Sequence, residues 1–265
     1  MTRMSRELSP KGLILDMDGV LYRGDCPMPG LVEFFEIARS RPLVLLTNNS
    51  TVSALDLECK LARMGVQVPV AAILTVSEAT GRYLAEKFPP GSQAQVLGSA
   101  ALQTAVAAAG MTLVPTCGDV VVVGLDAALT YQRLAEAVRS VFAGAGFVAT
   151  SFDSVLLTEQ GIAPGSGAIV AAIRACVEAV PVCVGKPSPS MFQMAARQLG
   201  LLAEETLVVG DSLVSDIAGG KAVGARTALL LSGVPTHSGQ DQLQPDLVLA
   251  GLRELSAFLA WSWET

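Results

Sequence analysis

Four short stretches hold the side chains able to do chemistry. Two acids stand one residue apart in Asp16-Met17-Asp18, and small hydroxyls and amides cluster in Thr47-Asn48-Asn49-Ser50. Lys186 is pinned between Gly185 and Pro187, and a second pair of acids, Asp211 and Asp216, follows Gly210. This inventory fits phosphoryl transfer. A phosphomonoester dianion needs cations and hydrogen-bond donors, and Mg²⁺ needs hard oxygen ligands. A carboxylate can attack phosphorus to form an aspartyl-phosphate, while a second one protonates the leaving oxygen and later activates water. The sequence contains neither a G-x-x-x-x-G-K-[ST] loop nor a G-x-S-x-G elbow, and its single histidine, His237, leaves little for a Ser-His-Asp triad.

Each stretch closes an apolar run. Leu13-Ile14-Leu15 stops at Asp16, Leu45-Leu46 at Thr47, Val184 at Gly185-Lys186, and Val208-Val209 at Gly210-Asp211. Val/Leu-rich runs without alternation read as strands covered on both faces, and ligands of open α/β sheets sit beyond the C-terminal ends of such strands. Strands are expected at 12–16, 42–47, 72–75, 94–98, 119–124, 146–150, 181–184, 206–210 and 226–231. Helices are expected near 30–40, 52–64, 77–87, 99–109, 130–142, 166–179, 188–199 and 214–223. The class is α/β, a doubly wound and mostly parallel sheet. Asp16 and Asp211 share one sheet edge only if the middle of the chain is inserted. The expected organisation is therefore a core from 1–80 and 185–265 with a smaller α/β cap at 81–184.

Taken singly, each stretch has a plainer reading. Thr47 reads as a helix N-cap, Lys186 as a solvated turn residue, and Asp211 or Ser212 as a cap. Asp216 could serve a helix dipole, and Asp16 and Asp18 a turn. Four strand ends carrying an acid pair, a hydroxyl–amide cluster, a lysine and another acid pair fit those readings poorly together.

Asp16-Met17-Asp18-Gly19-Val20-Leu21, Thr47-Asn48-Asn49-Ser50, Gly185-Lys186-Pro187 and Gly210-Asp211-x4-Asp216 resemble the four motifs of the haloacid-dehalogenase superfamily, and within it the NagD-type phosphatases. Val123-Gly124-Leu125-Asp126, Phe147-Val148-Ala149-Thr150 and Pro164-Gly165-Ser166-Gly167 are similar to the cap of that group. The resemblance implies Asp16 as nucleophile and Mg²⁺ ligand, and Asp18 as general acid/base with its main-chain carbonyl on the metal. It implies Thr47 and Asn48 on the phosphoryl group, Lys186 neutralising charge on nucleophile and phosphate, Asp211 on the metal, and Asp216 holding the metal's waters or Lys186. The cap would close over the site, with Asp153 and Gly165 as substrate contacts. The group's usual Thr-Asn-x-Asp is here Thr150-Ser151-Phe152-Asp153, and a usual Pro and basic residues give way to Ser154-Val155-Leu156-Leu157. The implied activity is Mg²⁺-dependent hydrolysis of small phosphomonoesters; a phosphotransferase and a non-catalytic phosphometabolite sensor are the alternatives. The implied oligomer is a homodimer.

Bulk properties agree. The chain has 265 residues, 51% hydrophobic and 16% charged, which excludes disorder. A net charge of −6 argues against nucleic acid and anionic membranes as partners. The uncharged stretch 88–118 carries several Pro, Gly and Gln residues, and reads as a turn, a strand and an Ala-rich helix rather than a membrane span. Five cysteines without a C-x-x-C pair, and one histidine, exclude a zinc site and read as reduced, mostly buried thiols in a cytoplasmic protein. Arg3, Arg6, Glu7 and Lys11 break any N-terminal signal. Gly165-Ser166-Gly167 reads as a helix entry rather than half of a dinucleotide fingerprint, His237 as a solvated loop residue, and Trp261 and Trp263 as core cover. Phe147 and Phe152 are read as facing the cleft, with a core role as the alternative for Phe147.

Overall fold

The computed structural model describes residues 10–158, 161–231 and 243–263. His237 lies outside them, as do the side chains of Trp261 and Trp263. The described chain divides into two compact units. One draws on Met1–Thr47, Ala54–Leu74 and Lys186–Thr265, the other on Asn48–Ser53 and Thr75–Gly185.

The first unit is built on strands β1 (Gly12–Asp16), β4 (Leu43–Thr47), β5 (Ile73–Thr75), β13 (Thr206–Gly210), β14 (Arg226–Leu230) and β15 (Leu247–Leu249). They lie in the order β15-β14-β13-β1-β4-β5. From β15 to β4 every neighbouring pair is parallel. Every residue of β1 and of β13 is buried, as expected of central strands with helices on both faces. Those helices include α1 (Leu31–Ala38), α2 (Ala54–Arg63), α7 (Pro189–Leu199), α8 (Ala218–Ala222) and α9 (Leu252–Trp263). Pro189 at its first turn and left-handed Gly200 at its end delimit α7. The register Leu15↔Val209 between β1 and β13, with Asp16↔Leu46 between β1 and β4, brings three strand ends to one edge. Asp16, Thr47 and Gly210 therefore finish side by side. Beyond β1 the chain winds into a tight turn, Met17 O accepting from the amides of Val20, Leu21 and Tyr22, and continues into a two-stranded hairpin, β2 (Tyr22–Arg23) and β3 (Cys26–Pro27).

The second unit has its own sheet, of order β12-β9-β8-β6-β7. Its strands are β6 (Gln93–Leu97), β7 (Thr112–Leu113), β8 (Val120–Val123), β9 (Gly146–Ala149) and β12 (Val182–Cys183). All four β8 valines are fully buried, which at about 1.5–3 kcal/mol per side chain makes this strand a main contributor to the unit's stability. Helices α3 (Val76–Lys87), α4 (Ala100–Ala108), α5 (Tyr131–Phe142) and α6 (Ser166–Arg174) surround it. Thr75 caps α3 in a reciprocal box with Glu78, and Ser99 and Thr130 cap α4 and α5. Phe147 packs with Val121, Val141, Ile169 and Ile173 in this unit's core, whereas Phe152 is about half exposed. A separate hairpin, β10 (Val155–Thr158) and β11 (Gly161–Pro164), precedes α6.

The units part at Leu74/Thr75 and Gly185/Lys186, with Asn48–Ser53 on the inserted side. Helix α3 belongs to the inserted unit because it packs on α4 at Gly81, where an added side-chain carbon would lie 2.7 Å from Ala105 O. The 88–118 stretch contains the strand and Ala-rich helix read from its sequence, and no described helix is long and apolar enough to cross a membrane. The cysteines depart from expectation. Cys26, Cys59, Cys117 and Cys176 are exposed free thiols, and only Cys183 is partly buried. Cys59 falls on the outward face of α2, opposite Leu57 and Leu61, and Cys26 on the exposed hairpin, so position on the element outweighs the residue's usual preference for burial.

Candidate active site

The edge where β1, β4 and β13 end gathers six of the expected side chains within the first unit: Asp16, Asp18, Thr47, Lys186, Asp211 and Asp216. Asp16, the last residue of β1, is buried with its carboxylate on Lys186, whose Nζ lies 2.5 Å from Oδ1. The same ammonium donates to Asp216 Oδ1 at 2.7 Å. Lys186 is only 4% exposed, so it is not a solvated turn residue. It follows Gly185 and enters a cis bond to Pro187. Asp216 sits in a single π-helical turn, Leu213–Ile217, where its Oδ2 accepts from the amide of Ser212. Ser212 caps that turn by accepting from Ser215 N, so the capping role falls to Ser212 and leaves Asp211 available.

Carboxylate oxygens of Asp16, Asp211 and Asp216 all lie within 4.8 Å of one another. Three carboxylates against one ammonium leave a net charge of two negatives in a largely buried cluster. Desolvated like charges at this spacing repel strongly, and a small divalent cation with oxygen ligands relieves them. The protonation preferences of the metal-free site follow from that imbalance. Burial raises the Asp16 carboxyl well above its ordinary range; Lys186 draws it back, and Asp216 and Asp211 push it up again. Asp211 is pushed up to about 6 by burial and then by Asp216, against Lys186 and Arg23. Burial works against the charge of Lys186, but Asp16 and Asp216 outweigh it and raise its pKa. Hard oxygens, a surplus of negative charge and elevated carboxyl pKa values fit Mg²⁺ at this place.

Asp18 stands apart from the trio. Its side chain reaches solvent, and its carboxyl is raised by desolvation and lowered by Lys60, by Lys186 and by a hydrogen bond with Thr47. Thr47 is the buried last residue of β4, and the next helix starts only at Ala54, so Thr47 is not its cap. Asn48, the next residue, belongs to the other unit, where its Nδ2 lies 3.3 Å from Asp153 Oδ2. Asp153 also accepts from Ser151 Oγ at 2.5 Å. Gly165 and Gly167 hold the loop 151–154 at the start of α6: Gly165 N donates to Ser154 O and Gly167 N to Asp153 O, both at 2.9 Å. Side chains at either glycine would collide with that loop's backbone, which gives both positions a packing reason.

Two residues of this region were not singled out from the sequence. Tyr22 is buried at the start of the hairpin, and Lys60 lies in the last turn of α2 with its Nζ 3.8 Å from the Tyr22 ring centroid. Tyr22 follows the Asp16–Leu21 run directly, which is a usable signal. Lys60 looks like any lysine on an amphipathic helix, and only the fold shows what it faces.

A family model described as haloacid dehalogenase-like hydrolase matches residues 13–112, and one described as HAD-hydrolase-like matches residues 183–255. A 5′-nucleotidase of Bacillus subtilis is 31% identical over 248 residues, 92% of this chain and 96% of its own. Among solved structures, NagD from E. coli K-12 superposes with a TM-score of 0.86 at 33% identity, covering 93% of this chain and 98% of that one. A glycerol phosphate phosphatase of Mycobacterium tuberculosis, solved in complex with magnesium, superposes with a TM-score of 0.87 at 32% identity, over 94% of this chain and 77% of that one.

Proposed function

Since the chain belongs to the haloacid dehalogenase-like hydrolases and is a phosphatase of their NagD-like branch, we propose that it hydrolyses small phosphomonoesters through an aspartyl-phosphate on Asp16, with Mg²⁺ as cofactor. The observation that carries this reading is the carboxylate trio Asp16, Asp211 and Asp216, with buried Lys186 bridging Asp16 and Asp216.

Asp16 is the nucleophile. Its carboxylate oxygen bonds to phosphorus as the ester P–O bond breaks, and Asp18 gives its proton to the leaving oxygen. In the second half Asp18 takes a proton from water, whose oxygen attacks phosphorus and frees Asp16 as inorganic phosphate departs. Lys186 holds the Asp16 carboxylate in place and offsets charge as it develops on the phosphoryl oxygens. Thr47 and Asn48 donate to those oxygens. Asp16, Asp211 and the main-chain carbonyl of Asp18 would hold the metal, and Asp216 fixes Lys186. When bound, Mg²⁺ supplies positive charge against phosphate and carboxylates.

Asp153 and Gly165 are the proposed contacts to the leaving group. From Ser140 to Ile173 the sequence contains no Lys, Arg or His, so this stretch offers no side-chain cation to a second anionic group. The reading favours neutral leaving groups, such as polyols, over carboxylates such as glycolate. Free cysteines throughout the described residues accord with a cytoplasmic setting.

The test is phosphate release from a panel of phosphomonoesters with Mg²⁺ and with EDTA, for wild type and Asp16→Asn. Release that needs Mg²⁺ and falls at least about a thousandfold in the variant, roughly 4 kcal/mol of barrier, supports the reading. Unchanged turnover in a folded Asp16→Asn protein sinks it. Phosphate passed to an added alcohol faster than to water would assign a phosphotransferase instead.

A further inference from the structure

The turn that carries Asp18 is closed at its far end by Tyr22. Asp18 and Tyr22 form an isolated parallel bridge, and Gly19 N donates to Tyr22 O at 2.8 Å. The Tyr22 side chain is 1% exposed, and its phenol is raised by burial and then by the charges of Asp18 and Asp16, so it lies within electrostatic reach of both acids. Over its face sits the Lys60 ammonium, 3.8 Å from the centroid, which is the geometry of a cation–π contact. Lys60 also pairs with Asp25, at 3.8 Å and almost fully exposed, an ion pair of little consequence in water. Helix α2 explains the placement: Ala54, Leu57 and Leu61 are buried, and Lys60 shares the edge of that face with its side chain only 21% exposed. Its charge is also the largest charged influence on Asp18, ahead of that of Lys186.

We propose that Lys60 is a positioning residue for the reaction, clamping the Tyr22 ring so that the Asp18 carboxyl is held where it serves the leaving oxygen. The inference rests on the reading of Asp18 as general acid. Lys60 touches no reacting atom. It acts on the second acid of the DxD pair from outside, as Lys186 acts on the first from within. A neutral side chain at position 60 loses the ring contact and the field together; arginine keeps both.

The experiment compares Lys60→Met, Lys60→Arg and Asp18→Asn on two substrates: 4-nitrophenyl phosphate, whose phenolate leaves without a proton, and glycerol 3-phosphate, whose alkoxide needs one. General acids contribute about 10²–10⁴-fold where the proton is required, so Lys60→Met should lower kcat/KM, which reports transfer to Asp16 and not the later hydrolysis shared by both substrates, by about tenfold or more for glycerol 3-phosphate and leave it within about threefold for 4-nitrophenyl phosphate. Lys60→Arg should restore most of the loss. Equal loss on both substrates, with no rescue by arginine, would make Lys60 merely structural and overturn the proposal, as would full activity of Lys60→Met on glycerol 3-phosphate. Asp18→Asn is the control for the underlying reading. If it fails to discriminate between the substrates, the general-acid role falls and the Lys60 proposal with it. If it discriminates and Lys60→Met does not, only the Lys60 proposal falls.

Discussion

Gly19 faces the Asp211 carboxylate so closely that a side-chain carbon added there would lie 2.8 Å from Asp211 Cγ, nearer still to an oxygen. The glycine also holds φ at +82°, a left-handed conformation that other residues adopt at a cost of about 1 kcal/mol. The residue just after the acid pair of β1 is thus fitted to the acid that follows β13. Gly19→Ala should displace Asp211, weaken Mg²⁺ activation by at least tenfold, and cost a further 1–3 kcal/mol or so of stability through overpacking. A magnesium titration of activity, with urea melts of both proteins, measures the two effects separately. Wild-type activation by Mg²⁺ in Gly19→Ala would show that the contact is incidental.

The carboxylate trio should make the protein's stability depend on magnesium. A ligand that binds only the folded state contributes RT ln(1 + [L]/Kd), about 2.7 kcal/mol at a hundredfold excess over Kd. Thermal melts in EDTA and in rising Mg²⁺ should show the midpoint climbing with concentration. Asp211→Asn should shift that climb to much higher Mg²⁺ while starting from an equal or higher midpoint in EDTA, because it removes a charge from a repelling cluster. The same magnesium dependence in the variant would exclude Asp211 as a ligand.

In EDTA the cluster should also give the protein an unusual pH response. The Asp211 carboxyl is raised from 3.8 to about 6 in the folded chain, so between those values the folded state holds more proton than the unfolded one. Stability then falls as pH rises through this window, the reverse of an ion-paired acid, and levels off above it. Asp16, raised for the same reason, extends the decline upward. The readout is the difference in melting midpoint between wild type and Asp211→Asn across pH 4 to 7, which cancels the remaining carboxylates. The wild type should lose ground to the variant as pH rises. A difference that stays flat, or moves the other way, would mean that Asp211 is not raised.

The buried strands were legible because a parallel strand covered on both faces must be apolar throughout, and Leu13–Leu15, Leu43–Leu46, Val120–Val123 and Leu207–Val209 are. The acids were legible because Asp16 and Asp211 interrupt such runs where packing alone would not choose them. Short edge elements escaped notice: β7 has two residues, and the hairpins β2–β3 and β10–β11 are set by local turns rather than by long apolar runs. Helix α6 stops at Arg174, short of the expected 179, and α9 was not marked at all although Leu252, Leu255 and Leu259 repeat at helical spacing. Asp216 illustrates the limit at the site. The sequence left it holding either the metal's waters or Lys186, and the structure gives Lys186, 2.7 Å from its Oδ1.

Lys186 is the strongest test of the electrostatic account. It is the ammonium between Asp16 and Asp216, both buried, and removing it leaves two carboxylates without their shared counter-charge. Loss of one partner from a buried ion pair costs about 3–5 kcal/mol, most of it from the stranded charge. Lys186→Met keeps the bulk and should lose about that much in EDTA, as well as nearly all activity. Two conditions should recover stability but not activity: added Mg²⁺, which replaces the missing positive charge, and the double variant Lys186→Met/Asp216→Asn, which removes one stranded acid. A double-mutant cycle by urea denaturation should therefore show a coupling of at least about 1–2 kcal/mol between positions 186 and 216. Additive losses at the two positions would mean that their contact contributes packing alone and that the cluster is not governed by charge.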